Sequence, residues 1–393
     1  MPADPSPSPR RDSGWSSLRR TRRSRPGEWL AEKGIFLVSL SAIVMIFLIF
    51  VFVAREALPV ALGRTDNSKA GQARPVGDLG TMTPAEIRSY LGLSAKQYAQ
   101  MDRDTLKELM QVKIEAAAEA PKDKDAGLNT TSWKLMTGPH QWSGYDKPEY
   151  IWQPVSMIPK YNLVPLIIGS LKTTLVALLV SVPLALGAAL YVSQLAGPKT
   201  KEWLKPAIEL LAGIPSVVLG FFALIVLASL LQGVFGYGSR LNAFVAGLAL
   251  ALAVIPVVFS IAEDALTSVP RAYTQAALAL GSSRWEAAWK IVLPAAIPGV
   301  FAAVVLGFGR AIGETLVVLM ASGNASIVSW NVFDSTRTMT ASIAAELAET
   351  VFGGHHYRIL FLIGGLLFLV TFLSNMAADV IIHRLKKRLE GKA

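Results

Sequence analysis

The sequence predicts an all-α integral membrane protein: six membrane-crossing helices, a large insert on the outer face and an amphipathic elbow on the inner one. Two observations carry that class. Hydrophobic residues make up 52% of the 393 and gather into long blocks, and a block of about 20 apolar residues crosses the hydrocarbon layer as a helix. Lys and Arg cluster at alternate ends of those blocks, a bias that sets orientation.

In chain order, 34–54 carries no charge, 163–192 holds only Lys172, and 210–231 and 241–262 hold none. The fifth block, 297–322, holds Arg310 and Glu314, and the sixth, 359–378, is again uncharged. An even number of spans puts both termini on one side. Basic residues from Arg10 to Lys33 and from Arg384 to Lys392 make that side the cytoplasm. The short connections at 198–205 and 269–290, with Lys199, Lys201, Lys205, Arg271, Arg284 and Lys290, fall on the same side. The net charge of +10 is therefore a topology signal, and no nucleic-acid recognition fold follows the basic stretch 1–25. The first block has too long an apolar core for a cleaved signal peptide and reads as an anchor. There is no cysteine, which excludes disulfides and thiolate metal sites, and the four His show no metal-ligand spacing. The His355–His356 pair reads as a solvated loop.

The expected organisation is a basic tail at 1–33, disordered over 1–25 and then amphipathic, and a first span at 34–54. An outer insert at 55–160, a core of five spans at 161–383 and a basic tail at 384–393 complete it. Inside the insert, Thr83-Pro84-Ala85-Glu86 and Ser94-Ala95-Lys96-Gln97 have capping-box spacing. A third helix start lies near Asp104, and 121–150 reads as a polar loop. The insert is either a packed cap or a docking surface. Lys172, near the outer end of the second span, is expected to reach the head groups. Glu263 and Asp264, at the inner end of the fourth, are expected to pair with loop Lys or Arg.

Between the fourth and fifth spans lies TQAALALGSSRWEAAWKIVLP (274–294), too polar to cross a membrane. Val269-Pro270 stops the preceding helix. Residues 272–280 favour helix, Gly281 suits a left-handed helix end, and Trp285, Ala288, Trp289 and Val292 recur at helical spacing on one face. The segment is a helix-turn-helix lying along the membrane surface, either resting on lipid or docking into a partner.

Its spacing resembles the EAA loop of ABC importer permeases, whose pattern is E-A-A, x3, G, x9, I-x-L-P. Here the matching residues are Gln275, Ala276, Ala277, Gly281, Ile291, Leu293 and Pro294, with Gln275 in place of the family's Glu. Three further stretches, LAGIPSVVLGFF (211–222), GFGRAIGETLVVLMASGN (307–324) and FDSTRTMTASIAAEL (333–347), are similar to the C-type permeases of phosphate importers. The resemblance implies the type I importer permease fold, in the inner membrane of a prokaryote, with a periplasmic insert. It implies that the elbow, Trp285 included, is a coupling helix that plugs into a separate cytoplasmic ATPase dimer. An A-type permease completing a heterodimeric pore and an extracytoplasmic phosphate-binding protein are implied with it. The sequence has no G-x-x-x-x-G-K-[ST], so the chain lacks a phosphate-cradling loop of its own. It is expected to bind no cofactor, to be no enzyme by itself, and to leave ATP to the partner.

Ionisable groups inside a span are costly and mark function by default. Arg310 and Glu314 stand four apart and are expected to share a helix face, with Gly309-xxx-Gly313 allowing close helix approach. Either Arg310 offers a fixed charge to an oxyanion while Glu314 holds it, or the two form a structural ion pair. Gly213, Pro215 and Gly220 are expected to interrupt the third span, as a hinge or a packed kink, and Pro183 and Pro256 read the same way. The rivals are a permease for another oxyanion such as sulfate or molybdate, an ion-driven transporter or channel, and a membrane scaffold.

Overall fold

The computed structural model describes residues 26–68, 79–119, 124–125, 127–389 and 391. The expectations for residues 1–25 and for Lys392 lie outside these. The chain divides into two compact units, Met1–Phe52 and Val53–Ala393. Helix α1 (Pro26–Ala61) supplies the described part of the first unit and runs on into the second.

Among the described residues, six helices are long and apolar enough to cross a membrane: Trp29–Ala61, Val164–Leu195, Ser216–Phe235, Ala243–Thr267, Arg284–Ile312 and His355–Leu385. The insert forms three short helices, α2 (Pro84–Leu91), α3 (Ala95–Gln100) and α4 (Arg103–Glu119). Thr83 and Ser94 each close the capping box their spacing predicts. These helices share a small apolar cluster of Leu79, Ile87, Tyr90, Leu93, Leu106 and Met110. The stretch expected as a polar loop is more structured than that. It holds α5 (Trp133–Thr137), a buried Trp142, and a two-stranded antiparallel ribbon of β1 (Trp152–Gln153) and β2 (Lys160–Tyr161), with Trp152 paired to Tyr161. Met136, Trp152 and Tyr161 are buried with Leu163, Leu166, Ile359 and Ile363. This half of the insert is part of the bundle's core.

The second span is α6 (Val164–Leu190), extended by a π turn over Tyr191–Leu195. The connection at 198–205 is no loop but the amphipathic helix α7 (Pro198–Leu210). A 3-10 turn at Leu211–Gly213 follows, and the third span is α8 (Ser216–Phe222) and α9 (Ala228–Phe235), joined through a π turn. Gly213 and Pro215 thus stand before this span rather than inside it: Pro215 is extended, with ψ 138°, and a new helix starts at Ser216. Only Gly220 lies within, where a Cβ would come 2.7 Å from Met320 Sδ. The fourth span, α10 (Ala243–Thr267), is the spine of the bundle, with Val245, Ala249, Val254, Val258 and Phe259 fully buried. α6 and α10 continue through Pro183 and Pro256 without interruption.

The elbow is α11 (Arg271–Ala279) and α12 (Arg284–Ala287). A π turn over Ala288–Val292 leads into α13 (Leu293–Ile312), followed by α14 (Leu316–Ala321), α15 (Met339–Glu346) and α16 (His355–Leu389). His355 and His356 open α16, and His356 hydrogen-bonds Glu346 at 2.8 Å. The pair is no solvated loop, since the half-buried carboxylate of Glu346 holds His356 at the start of the helix.

Candidate functional site

The fifth span ends early. α13 stops at Ile312, and Gly313–Thr315 leave the helix before α14 begins. Arg310 and Glu314 therefore do not share one continuous helix, yet Arg310 Nη2 lies 3.2 Å from Glu314 Oε2. The bend at Gly313 turns the carboxylate inward: its side chain is 5% exposed while that of Arg310 is 48% exposed. This chain leaves the guanidinium half uncovered and fixes the carboxylate behind it. A small cavity of about 10 Å³ beside Glu314 is lined by Ser170, Thr173 and Thr174 of α6 and by Thr338 and Thr340. Thr340 Oγ1 donates to the Glu314 carbonyl at 2.8 Å. Sequence reasoning missed this hydroxyl seam, although Ser170, Thr173 and Thr174 lie at helical spacing on one face and Thr336, Thr338 and Thr340 alternate. Close helix approach belongs to Gly307, where a Cβ would meet Val258 at 2.5 Å; Gly309 has open space around it, and Gly313 faces only the Gly309 carbonyl.

Lys172 does not reach the head groups. It is buried, and its Nζ donates to the carbonyls of Ser329 and Asn331 at 3.0 Å each. A chain folded back beside α6 gives the ammonium a nearer partner than lipid. Thr336 N–H donates to the Ser322 carbonyl, and Phe244 N–H to the Val332 carbonyl, which closes that loop onto α10. Gly169 sets the approach: a Cβ there would lie 2.2 Å from the Arg337 carbonyl. At the same end, Glu346 receives Trp152 Nε1–H at 3.0 Å, Arg337 at 2.5 Å and His356 at 2.8 Å. Burial works to raise the Glu346 carboxyl. The hydrogen bonds from His356 and Trp152 and the charge of Arg337 outweigh it, and the group sits below its ordinary 4.5.

The elbow lies at the opposite end of α10. Gly281 takes φ +87°, and the Ser282 N–H donates back to the Ala277 carbonyl, so the chain turns sharply out of α11. Ser283 and Glu286 then form a capping box that starts α12. Gln275 and Ala276 are exposed, Ala277 is buried, Ile291 and Pro294 are exposed and Leu293 is half-buried. The aromatic and small residues expected on one face are on two. Trp285 and Trp289 stack 5.9 Å apart and are 55% and 54% exposed, while Ala288 and Val292 are buried. Next to the elbow, Glu263 of α10 is paired with Lys201 at 2.8 Å and Lys205 at 2.7 Å, as its position predicts. The bond from Glu263, together with its charge, holds Lys205 above the usual lysine range against the opposing effect of burial.

Residues 181–390 match the family of binding-protein-dependent transport system inner membrane components. The chain belongs to that family: it is the membrane-embedded component of a transporter, and a multi-pass protein. It is 35% identical over 235 residues to a probable ABC transporter permease of Bacillus subtilis, covering 60% of this chain and 76% of that one. It is 34% identical over 264 residues to the phosphate transport system permease protein PstC of Pasteurella multocida, covering 61% and 80%. Among solved structures, a chain of the inward-facing MetNI methionine ABC transporter aligns at 16% identity and a TM-score of 0.43, over 57% of this chain and 94% of that one.

Proposed function

We propose that this chain is the C-type permease subunit of an ATP-driven importer of inorganic phosphate, forming half of the translocation path. The observation that carries the reading is a half-exposed guanidinium, Arg310, held 3.2 Å from a buried carboxylate where the fifth span breaks. A guanidinium stays charged and presents its donors in a flat fork, which suits a tetrahedral oxyanion. Glu314 limits how tightly the site holds its anion, so that the anion can leave. The similarity to the phosphate transport system permease protein of Pasteurella multocida favours phosphate over sulfate or molybdate.

In this reading both termini are cytoplasmic, and the elbow takes up motion from a separate ATPase dimer that binds the nucleotide. An A-type permease completes the pore, and an external binding protein delivers the anion. ATP-driven closure of the ATPases moves the elbow and shifts the bundle between outward- and inward-open states.

Radiolabelled phosphate uptake by the assembled transporter tests this. Arg310→Lys is expected to lower uptake about 10- to 100-fold at unchanged assembly, the equivalent of one charge-assisted hydrogen bond of roughly 1.5–3 kcal/mol. Unlabelled sulfate or molybdate should compete poorly. Undiminished uptake by a fully assembled variant defeats the role of Arg310, and competition by sulfate but not by phosphate defeats the substrate.

A further inference from the structure

Glu263 is among the largest fully buried side chains of the molecule, with 1% of its surface exposed. A carboxylate so enclosed must have every oxygen satisfied. Lys201 Nζ reaches Oε1 at 2.8 Å and Lys205 Nζ reaches Oε2 at 2.7 Å, while Thr267 Oγ1 donates to Oε1 at 3.1 Å. The two lysines stand one turn apart on α7, so a single carboxylate grips two successive turns of that helix. Asp264 lies 3.6 Å from Lys205 and adds a second, exposed charge. A further bond runs from Gln194 Nε2, in the π turn that ends the second span, to the Leu266 carbonyl at 3.2 Å.

The place of this cluster in the chain is what gives it meaning. α10 ends at Thr267 and α11 begins at Arg271, with Pro270 stiffening the short link. Whatever displaces the elbow is passed directly to the end of α10 that carries Glu263. On the other side of the clamp, α7 connects the second span to the third through the turn at Leu211–Gly213. Apolar helix contacts can slide over one another. A buried carboxylate between two ammonium groups cannot, because separation in any direction leaves a charge without a partner.

We infer that Glu263, clamped by Lys201 and Lys205, is the joint that carries motion of the elbow into the second and third spans, which makes it a positioning residue for energy coupling. The inference rests on the proposed coupling through the elbow and adds the route by which the work leaves it. The joint makes the end of α10, α7 and the base of the elbow move as one piece.

Two measurements test it on the whole transporter: this chain with its partner permease, ATPases and binding protein, in proteoliposomes. In Glu263→Gln, ATP hydrolysis is expected to stay at the wild-type level while phosphate moved per ATP falls at least about tenfold, the scale of one hydrogen bond to a charged group. An unchanged ratio, whether or not less transporter assembles, overturns the joint. Should the variant not assemble, the unmutated joint decides. The chain has no cysteine, so spin labels at Leu210→Cys and Leu280→Cys report one distance, from α7 to the elbow. That distance is expected to stay constant when ATP is added, and a change with ATP overturns the inference. Absence of ATP-dependent phosphate uptake by the wild type would instead remove the functional reading on which the inference rests.

Discussion

Glu346 gathers donors from three separate parts of the chain. Trp152 comes from the ribbon, Arg337 from the loop before α15 and His356 from the last span. Tyr161 lies beside them, its ring 5.8 Å from His356. Because the folded protein holds this carboxyl below its ordinary 4.5, protonation opposes folding. The stabilisation is complete above that value and is lost as pH falls through the lowered one. Thermal unfolding of the detergent-solubilised chain should therefore show a midpoint that drops as the solution is taken below pH ~4.5. Glu346→Gln should begin lower and respond less over the same window. Equal slopes for the two proteins would mean that the carboxyl carries no linkage. Lys172 teaches the related lesson about reading single residues. Its charge inside an apolar block is plain from the sequence, but its acceptors lie 157 and 159 residues away. A local pattern offers only the head groups as a partner, and the fold supplies a nearer one.

The elements that were legible are those whose determinants are local. Capping boxes at Thr83 and Ser94, the left-handed glycine at 281 and the Pro270 stop are each written within a few residues and appear where the spacing puts them. The end of α13 was not legible. Gly313–Thr315 are three polar residues inside a long apolar block, too few to divide it, so periodicity reads straight across the break, and the hydroxyl seam beside it needs α6 and the 336–340 segment brought together. The elbow permits a prediction at its own scale. Gly281 has φ +87° with open space around its Cβ position, so Gly281→Val creates no clash and acts only through the backbone. A left-handed conformation costs an L-residue roughly 1–2 kcal/mol and is an outlier for a β-branched one. The turn should reopen, Trp285 and Trp289 should lose their setting relative to α11, and capture of the cytoplasmic ATPase by the purified permease should fall while the bundle's thermal midpoint holds. Full capture by a well-folded variant would show that the ATPase does not read this turn.

At the scale of the whole chain, the insert is two structures with different allegiances. Its second half belongs to the bundle, through Met136, Trp152 and Tyr161 in the cluster shared with α16. The helices of 79–119 instead bury their apolar faces on one another. The base where the halves part is stitched shut. Asn67 Nδ2 donates to Thr130 Oγ1 at 2.7 Å, the Thr130 N–H returns a bond to Asn67 Oδ1 at 2.8 Å, and Thr131 Oγ1 donates to the Thr65 carbonyl at 2.9 Å. Two chain ends already held together this way can be joined by a short bridge with little loss of loop entropy. Replacing 69–123 by a few Gly and Ser residues should therefore leave a membrane-inserted chain that assembles with its partners. Its thermal midpoint should move by no more than the roughly 2–4 °C that corresponds to 1 kcal/mol in a domain of this size, and phosphate uptake should be kept. An unfolded product would mean that the small helical cluster supports the bundle after all. A folded product that has lost uptake only when substrate must come from its binding protein would make those helices the docking surface.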